Sequence, residues 1–258
     1  MRFILIFMLL CFSVPVHAAS FNATYGIYTG GFHVVDLEGV FTIAEDGYSM
    51  TMDAKTIGLL GRLAPWAGVL QTTGLYTQDG TPIPQAHSFA STWKGKVETT
   101  QFTYDSKGNF AGKVYTDEDG NIHTDAHDET LSDGTVDMLT ALHRSLLAAK
   151  NGECSASVPS FDGKRRYNMV FHSDGMGQIR ENRYSVYHGP AEICTIEIEP
   201  DGGKWREKPR GWMSLQEQSK GEGQLPRLWY AKMQGMEMPI PVKFMIKTNY
   251  GTMLMHLR

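Results

Sequence analysis

Three groups of residues in this 258-residue chain combine types and spacings that suit chemistry. Met233, Met236 and Met238 set three thioethers in an MxxMxM run. Thioethers are soft donors that suit Cu(I). The same residues equally suit packing on a core or lining an adaptable apolar groove, and no His or Cys lies beside them. The second group is DEDGNIHTDAHDE, residues 117–129, with His123 and His127 four apart. That spacing serves zinc when it falls on a helix. Nothing there reads as helical, and Asp119-Gly120 reads as a turn that accounts for the acids. A calcium loop of the EF-hand type needs glycine sixth, whereas Gly120 stands fourth from Asp117. The third group is the basic triplet Lys164, Arg165 and Arg166 in FDGKRRYNMVFH. A basic triplet can hold an anion, or it can form the solvated rim of a sheet. The reading expects no bound metal and no cofactor.

Signatures of known catalysts are missing from the sequence. It has no GxSxG elbow, no HExxH, no phosphate loop and no GxGxxG. His143 stands beside Arg144 with no nucleophile assignable to it. The expectation is a protein that is not an enzyme. The charge count, 24 basic against 28 acidic residues, excludes the basic excess of a nucleic-acid binder.

The first residues, MRFILIFMLLCFSVPVHAAS, carry a basic start, an apolar run, and the branched Val16 and small Ala18 at the −3 and −1 positions of a cleavage site. They read as a secretory leader over residues 1–18, cut after Ala18, with a soluble periplasmic chain from 19 to 258 as the expected product. Removing the leader leaves 23 basic and 28 acidic residues, which moves the formal charge from −4 to −5. It also removes Cys11 and leaves Cys154 and Cys194. Two cysteines in an oxidising compartment imply one disulfide, closing a loop of about 40 residues. The alternative is a pair of buried free thiols.

These residues must be held by strands. Asp-Gly turns recur at Asp46-Gly47, Asp79-Gly80 and Asp119-Gly120, with a related turn from Asp105 to Gly108, between runs of alternating polarity. Spacings of this kind predict a meander of long antiparallel strands. One segment breaks the pattern. Residues 135–149 place Val136, Leu139, Leu142, Leu146 and Ala149 on one face, with Thr135 as the N-cap and His143, Arg144 and Lys150 on the other side. Residues 184–187 read as a further strand, and residues 202–225, polar and rich in Gly, Lys and Glu, as a long mobile loop. The run IGLLGRLAPWAGVL, residues 57–70, is apolar but broken by Gly58, Gly61 and Pro65. It reads as a flap over a cavity or a contact with lipid or a partner, or else as a bulged corner of the core.

Taken in order, IGLLGRLAPWAG, DGTVDMLTALHRSLLAAKNGEC, FDGKRRYNM, YHGPAEIC and MPIPVKFMIKTNYGTMLMHL resemble the bacterial family named Domain of Unknown Function 3108. That family is similar to periplasmic lipoprotein-carrier folds of the LolA and LolB type. The resemblance implies a mainly β fold: a strongly curved antiparallel sheet, a half-barrel or β-spiral, wrapped around the helix at 135–149. It also implies a Gram-negative envelope and a bond between Cys154 and Cys194, and it brings no catalytic residues. It makes the basic triplet part of a signature, with Arg165 on the opposite side of the strand from Lys164 and Arg166 and one side pairing with carboxylates or helix carbonyls. The resulting expectation is a non-enzymatic envelope protein that binds a lipid, a lipidated protein or another apolar ligand in the concavity. Its candidate contacts are Leu59, Leu60, Leu63, Trp66 and Arg165. Two alternatives stay open: a filled interior with function at the surface toward an envelope protein, and an enzyme acting on envelope glycans or lipids.

Overall fold

The computed structural model describes residues 19–124 and 128–258. The expected leader, its cleavage after Ala18, Cys11 and His127 lie outside the described residues.

Strands β1 (Ala19–Thr29), β2 (Phe32–Ile43), β3 (Gly47–Thr56), β4 (Trp66–Tyr76), β5 (Pro82–Trp93), β6 (Lys96–Tyr104), β7 (Phe110–Thr116) and β8 (Ile122–His123) form one antiparallel meander. Strands β9 (Ala156–Phe161), β10 (Arg165–Ile179), β11 (Gly189–Gly203), β12 (Arg227–Ala231), β13 (Ile240–Thr248) and β14 (Gly251–Leu257) form a second. The two fuse through β1 and β14, with Tyr25 opposite Leu257 and Thr29 opposite Met253. The result is a single 14-stranded sheet whose edges are β8 and β9.

Local chemistry sets the turns. Asp105 accepts hydrogen bonds from the backbone N–H of Lys107 and Asn109, and Asp117 does the same for Asp119 and Asn121. The sequences DSKGN and DEDGN thus build one turn twice. Gly108 and Gly120 take the left-handed conformation that each turn requires. Most of the acids before β8 are therefore part of a hairpin, and His123 Nε2 donates to the same Asp117 at 2.8 Å.

Helix α3 (Met138–Lys150) follows α2 (Glu129–Ser132) between the two meanders. The N-cap of α3 is Asp137, whose carboxylate accepts from the N–H groups of Leu139 and Thr140. Thr135, expected in that role, instead donates its hydroxyl to the carbonyl of Ser132. The sheet wraps the helix on several sides. Side chains of α3 hydrogen-bond to β3, β4, β5 and β12 through the pairs Thr140–Tyr48, His143–Tyr76, Arg144–Pro82 and Ser145–Tyr230. Hence Thr140, His143 and Ser145 are buried along with Leu139 and Leu146. The side of the helix opposite its apolar face is enclosed as well at His143, which is 1% exposed.

The sheet is not closed by hydrogen bonds, and aromatic packing crosses the seam. Phe161 of β9 meets Phe110 of β7 and Phe102 of β6 at ring-centroid distances of 5.2 and 6.4 Å. The seam leaves no room for a side chain at Gly163. There φ is +88°, and a Cβ would lie 3.0 Å from Lys113 and 3.1 Å from Phe102. The exposed edge of β9 is covered by the chain leading into α3. Val136 N–H donates to the Pro159 carbonyl and Phe161 N–H donates to that of Val136. Capping an edge in this way removes a template for unwanted pairing.

Two sequence expectations are corrected. Residues 202–225 are not one long loop: β11 runs to Gly203, and α4 (Trp212–Gly221) follows. Gln216 of α4 donates to the carbonyl of Ile198 and accepts from its N–H, standing in for a neighbouring strand. Since α4 buries Gln216 and Ser219, its sequence shows no apolar stripe. Residues 184–187 form turns and not a strand; Tyr187 is held instead by its hydroxyl on the Pro190 carbonyl at 2.5 Å. No helix among the described residues is long and apolar enough to cross a membrane.

Candidate functional site

Three places in the fold gather groups able to bind or react, and two of them lie at the ends of α3. At its N-terminus, Thr72 of β4, His87 of β5 and Asp137 meet in the interior. The Thr72 hydroxyl donates to Asp137 Oδ1 at 2.8 Å. His87 Nδ1 lies 2.7 Å from the Thr72 oxygen and 3.3 Å from Asp137 Oδ1. A hydroxyl has one proton to give. That proton goes to Asp137, so His87 Nδ1 donates toward Thr72. Burial alone would push the Asp137 carboxyl up. The donors around it, His87 and Thr140 foremost, outweigh burial and hold it below the usual carboxylate value.

A hydroxyl, an imidazole and a carboxylate in contact invite comparison with a nucleophilic triad. There the imidazole stands between the other two and takes the hydroxyl proton. Here the hydroxyl gives its proton directly to the carboxylate, and Thr72 is fully buried. The arrangement fastens the start of α3 to the sheet.

Nearly two turns further along the helix, Tyr76 Oη lies 2.8 Å from His143 Nε2, and the Tyr48 ring packs on the imidazole at 4.7 Å. Burial pushes His143 down to about 4 and Tyr76 up to about 12. Neutral His143 therefore accepts from the tyrosine. Its stability effect has a definite sign. Between about pH 6.5 and about pH 4 the unfolded chain binds a proton at His143 that the folded chain does not. Unfolding free energy should then fall by up to about 3 kcal/mol as pH drops through that window. Urea unfolding of the wild type and of His143→Gln across the window checks this. Identical pH slopes for the two would exclude His143 as the cause.

At the other end of α3 a cleft of about 940 Å³ opens. Its apolar lining comes from Phe21, Ile43, Tyr76, Leu147, Met236 and Met238. Lys150 and Glu237, 3.7 Å apart, stand at the mouth. The methionines of the MxxMxM run thus take the packing role: Met238 is buried, and Met233 and Met236 rest against the core.

The predicted contact residues are dispersed. Leu59, Leu60 and Leu63 lie on α1 (Gly58–Leu63), the connection between β3 and β4. Leu59 is 72% and Leu63 71% exposed. Trp66 opens β4 and donates from Nε1 to Ser91 at 3.1 Å. None of the four lines the apolar cleft. Residues 57–70 are accordingly a short helix and the start of a regular strand, where the breaks at Gly58 and Pro65 suggested neither.

Arg165 pairs with Asp162 and lies 4.7 Å over the Trp205 ring. Arg166 donates to Asp201 at 2.7 Å and to the Asp133 carbonyl, the C-cap of α2, at 2.6 Å. The pairing expected of one side of the triplet is made by both arginines. Cys154 and Cys194 are joined in a buried disulfide with Cα atoms 6.3 Å apart, and the Cys154 N–H donates to Glu192 Oε1 at 2.6 Å. Sequence reasoning missed Thr72, His87 and Tyr76. Each looks like an ordinary residue of an alternating strand, and only the wrapping of the sheet around α3 brings them together.

No curated protein matches the chain by sequence. Among solved structures, the fold is similar to the crystal structure of a beta-barrel-like protein of Domain of Unknown Function DUF1849 from Brucella abortus. The TM-score is 0.47 at 11% identity, over 95% of this chain and 98% of that one. A family model described as "Protein of unknown function (DUF3108)" matches residues 20–258, nearly the whole length, and the chain belongs to that family.

Proposed function

We propose that this is a non-enzymatic periplasmic protein that supports the cell envelope by taking up an apolar chain, from a lipid or a lipidated protein. The seat is the cleft at the C-terminal end of α3 and not the centre of the sheet, which the helix fills. The observation that carries this reading is the cleft itself. At about 940 Å³ it falls in the size range of small-molecule sites. Its Met236 and Met238 walls suit a ligand of variable shape. The charged pair Lys150 and Glu237 at the mouth would meet the polar end of such a ligand. The lipoprotein-carrier likeness implied by the sequence agrees with this role.

Native mass spectrometry of protein isolated from periplasm, followed by lipid extraction, tests the reading. The expected result is a stoichiometric acylated species. Met236→Glu should lower its retention tenfold or more, since burying a methionine side chain is worth about 1.5–3 kcal/mol and about 1.4 kcal/mol is tenfold. A clean apo mass for the wild type under gentle conditions sinks it. That outcome would favour a scaffold acting on an envelope protein through its surface, for which the exposed leucines of α1 are the supporting observation.

A further inference from the structure

On the seam between the two edges of the sheet lies a second, polar cleft of about 660 Å³. One wall comes from β6, β7 and β8 and includes Lys113. The other comes from the β9–β10 turn, the start of β10 and the stretch after β11, and includes Lys164, Arg165, Lys204 and Arg206. Five cationic side chains therefore line one space; Lys113 is buried and donates to the Gly163 carbonyl at 3.3 Å, and the other four stand on the opposite wall. The carboxylates lining it are Glu98 and Asp162. Glu98 accepts from the Tyr115 hydroxyl at 2.9 Å, and Asp162 is taken by Arg165. His123, also in the lining, is turned to Asp117. Arg165 is fixed in place by Asp162 and by the Trp205 ring beneath it, so its guanidinium is oriented before any ligand arrives. Lys164, Lys204 and Arg206 are exposed.

We propose that this cleft binds a phosphate-bearing anion. Several cations converging on a walled space favour an oxyanion with more than one charge. The pre-set guanidinium of Arg165 offers the forked geometry that phosphate accepts. The walls belong to strands that share no backbone hydrogen bond. The site is separate from the apolar cleft, so its failure and that of the proposed carrier role are independently readable.

The phosphate could be free or part of a lipid headgroup, and two probes separate these sources. Inorganic pyrophosphate is titrated into the full chain by calorimetry. Flotation is measured with phosphatidylcholine vesicles with and without phosphatidylglycerol. Saturable pyrophosphate binding that weakens with added salt and raises the melting temperature supports a free anion. Selective flotation with phosphatidylglycerol vesicles supports a headgroup. In either case the double substitution Lys204→Glu with Arg206→Glu, at exposed positions outside the core, should weaken binding at least tenfold and leave the melting temperature of the unliganded protein unchanged. Arg165→Lys should weaken it less, keeping the charge and losing the fork. Binding by neither probe, or equal binding by the charge-reversed protein, overturns the proposal.

Discussion

Removing the Cys154–Cys194 disulfide by the pair Cys154→Ala and Cys194→Ala should lower the unfolding free energy by about 4 kcal/mol, the chain-entropy value for a loop of this length. The bonded residues are separated by 40 positions and both are fully buried. The bond ties the segment entering β9 to the middle of β11, next but one in the sheet. It thus restrains the half of the sheet that ends at β9. Alanine leaves no new polar group in the core, so the loss reports chiefly the freedom returned to the unfolded chain. Urea midpoints of the oxidised wild type and the double variant measure it. A difference under about 1 kcal/mol, the size of an ordinary substitution, would mean that other contacts already restrain the unfolded loop.

Asp137→Ala should cost about 3–5 kcal/mol, because it removes a buried charged acceptor from several hydrogen bonds worth about 1.5–3 kcal/mol each. Its carboxylate is the N-cap of α3, and it accepts from Thr72, from the Thr140 hydroxyl at 2.6 Å, and from two backbone N–H groups. Alanine strands these donors together with His87 in a space closed to water. Asp137→Asn retains one acceptor oxygen and a good capping residue, and should cost about 1–2 kcal/mol. The pH dependence has a fixed sign. The folded carboxyl lies below its ordinary value of 3.8. Its stabilisation is therefore present above that value and is lost as pH falls through the lower folded one. The asparagine variant should lack this acid-side loss. A cost for Asp137→Ala under about 1 kcal/mol, the typical value of a cap alone, would show that the surrounding donors find other partners.

The sheet and its main helix were legible because their signals are local. Asp-Gly turns and alternating polarity marked the meanders, and the i, i+3, i+4 spacing of Leu139, Leu142 and Leu146 marked α3. The family was legible from the order of several motifs. The helix α4 was not, because its buried face carries the polar residues Gln216 and Ser219, and Gln216 is satisfied by the backbone of Ile198 in β11. The burial of His143 was not, because a helix wrapped by a sheet has no solvent side to keep polar. The apolar cleft was half legible. The sequence offered Met236 and Met238 as groove-lining residues, yet its other walls, Phe21, Ile43, Tyr76 and Leu147, come from four distant segments. Leu59 and Leu63 drew attention as an apolar run, and apolarity alone does not say whether a run lines a cavity or faces outward.

The fusion of the two meanders through the chain's first and last strands has a consequence for the order of assembly. Strands β1 to β8 each pair with a sequence neighbour, as do β9 to β14. Either half can complete its own ladder as it is synthesised, with short loop closures. The one long-range join is β1 with β14, and it includes the pairing of the Arg258 N–H with the Thr24 carbonyl. Until residues 251–257 exist, β1 carries an open edge. Strand β14, made after the other described strands, is thus the one that makes two sheets into one, and helix α3, lying between the halves in sequence, is already there to be enclosed.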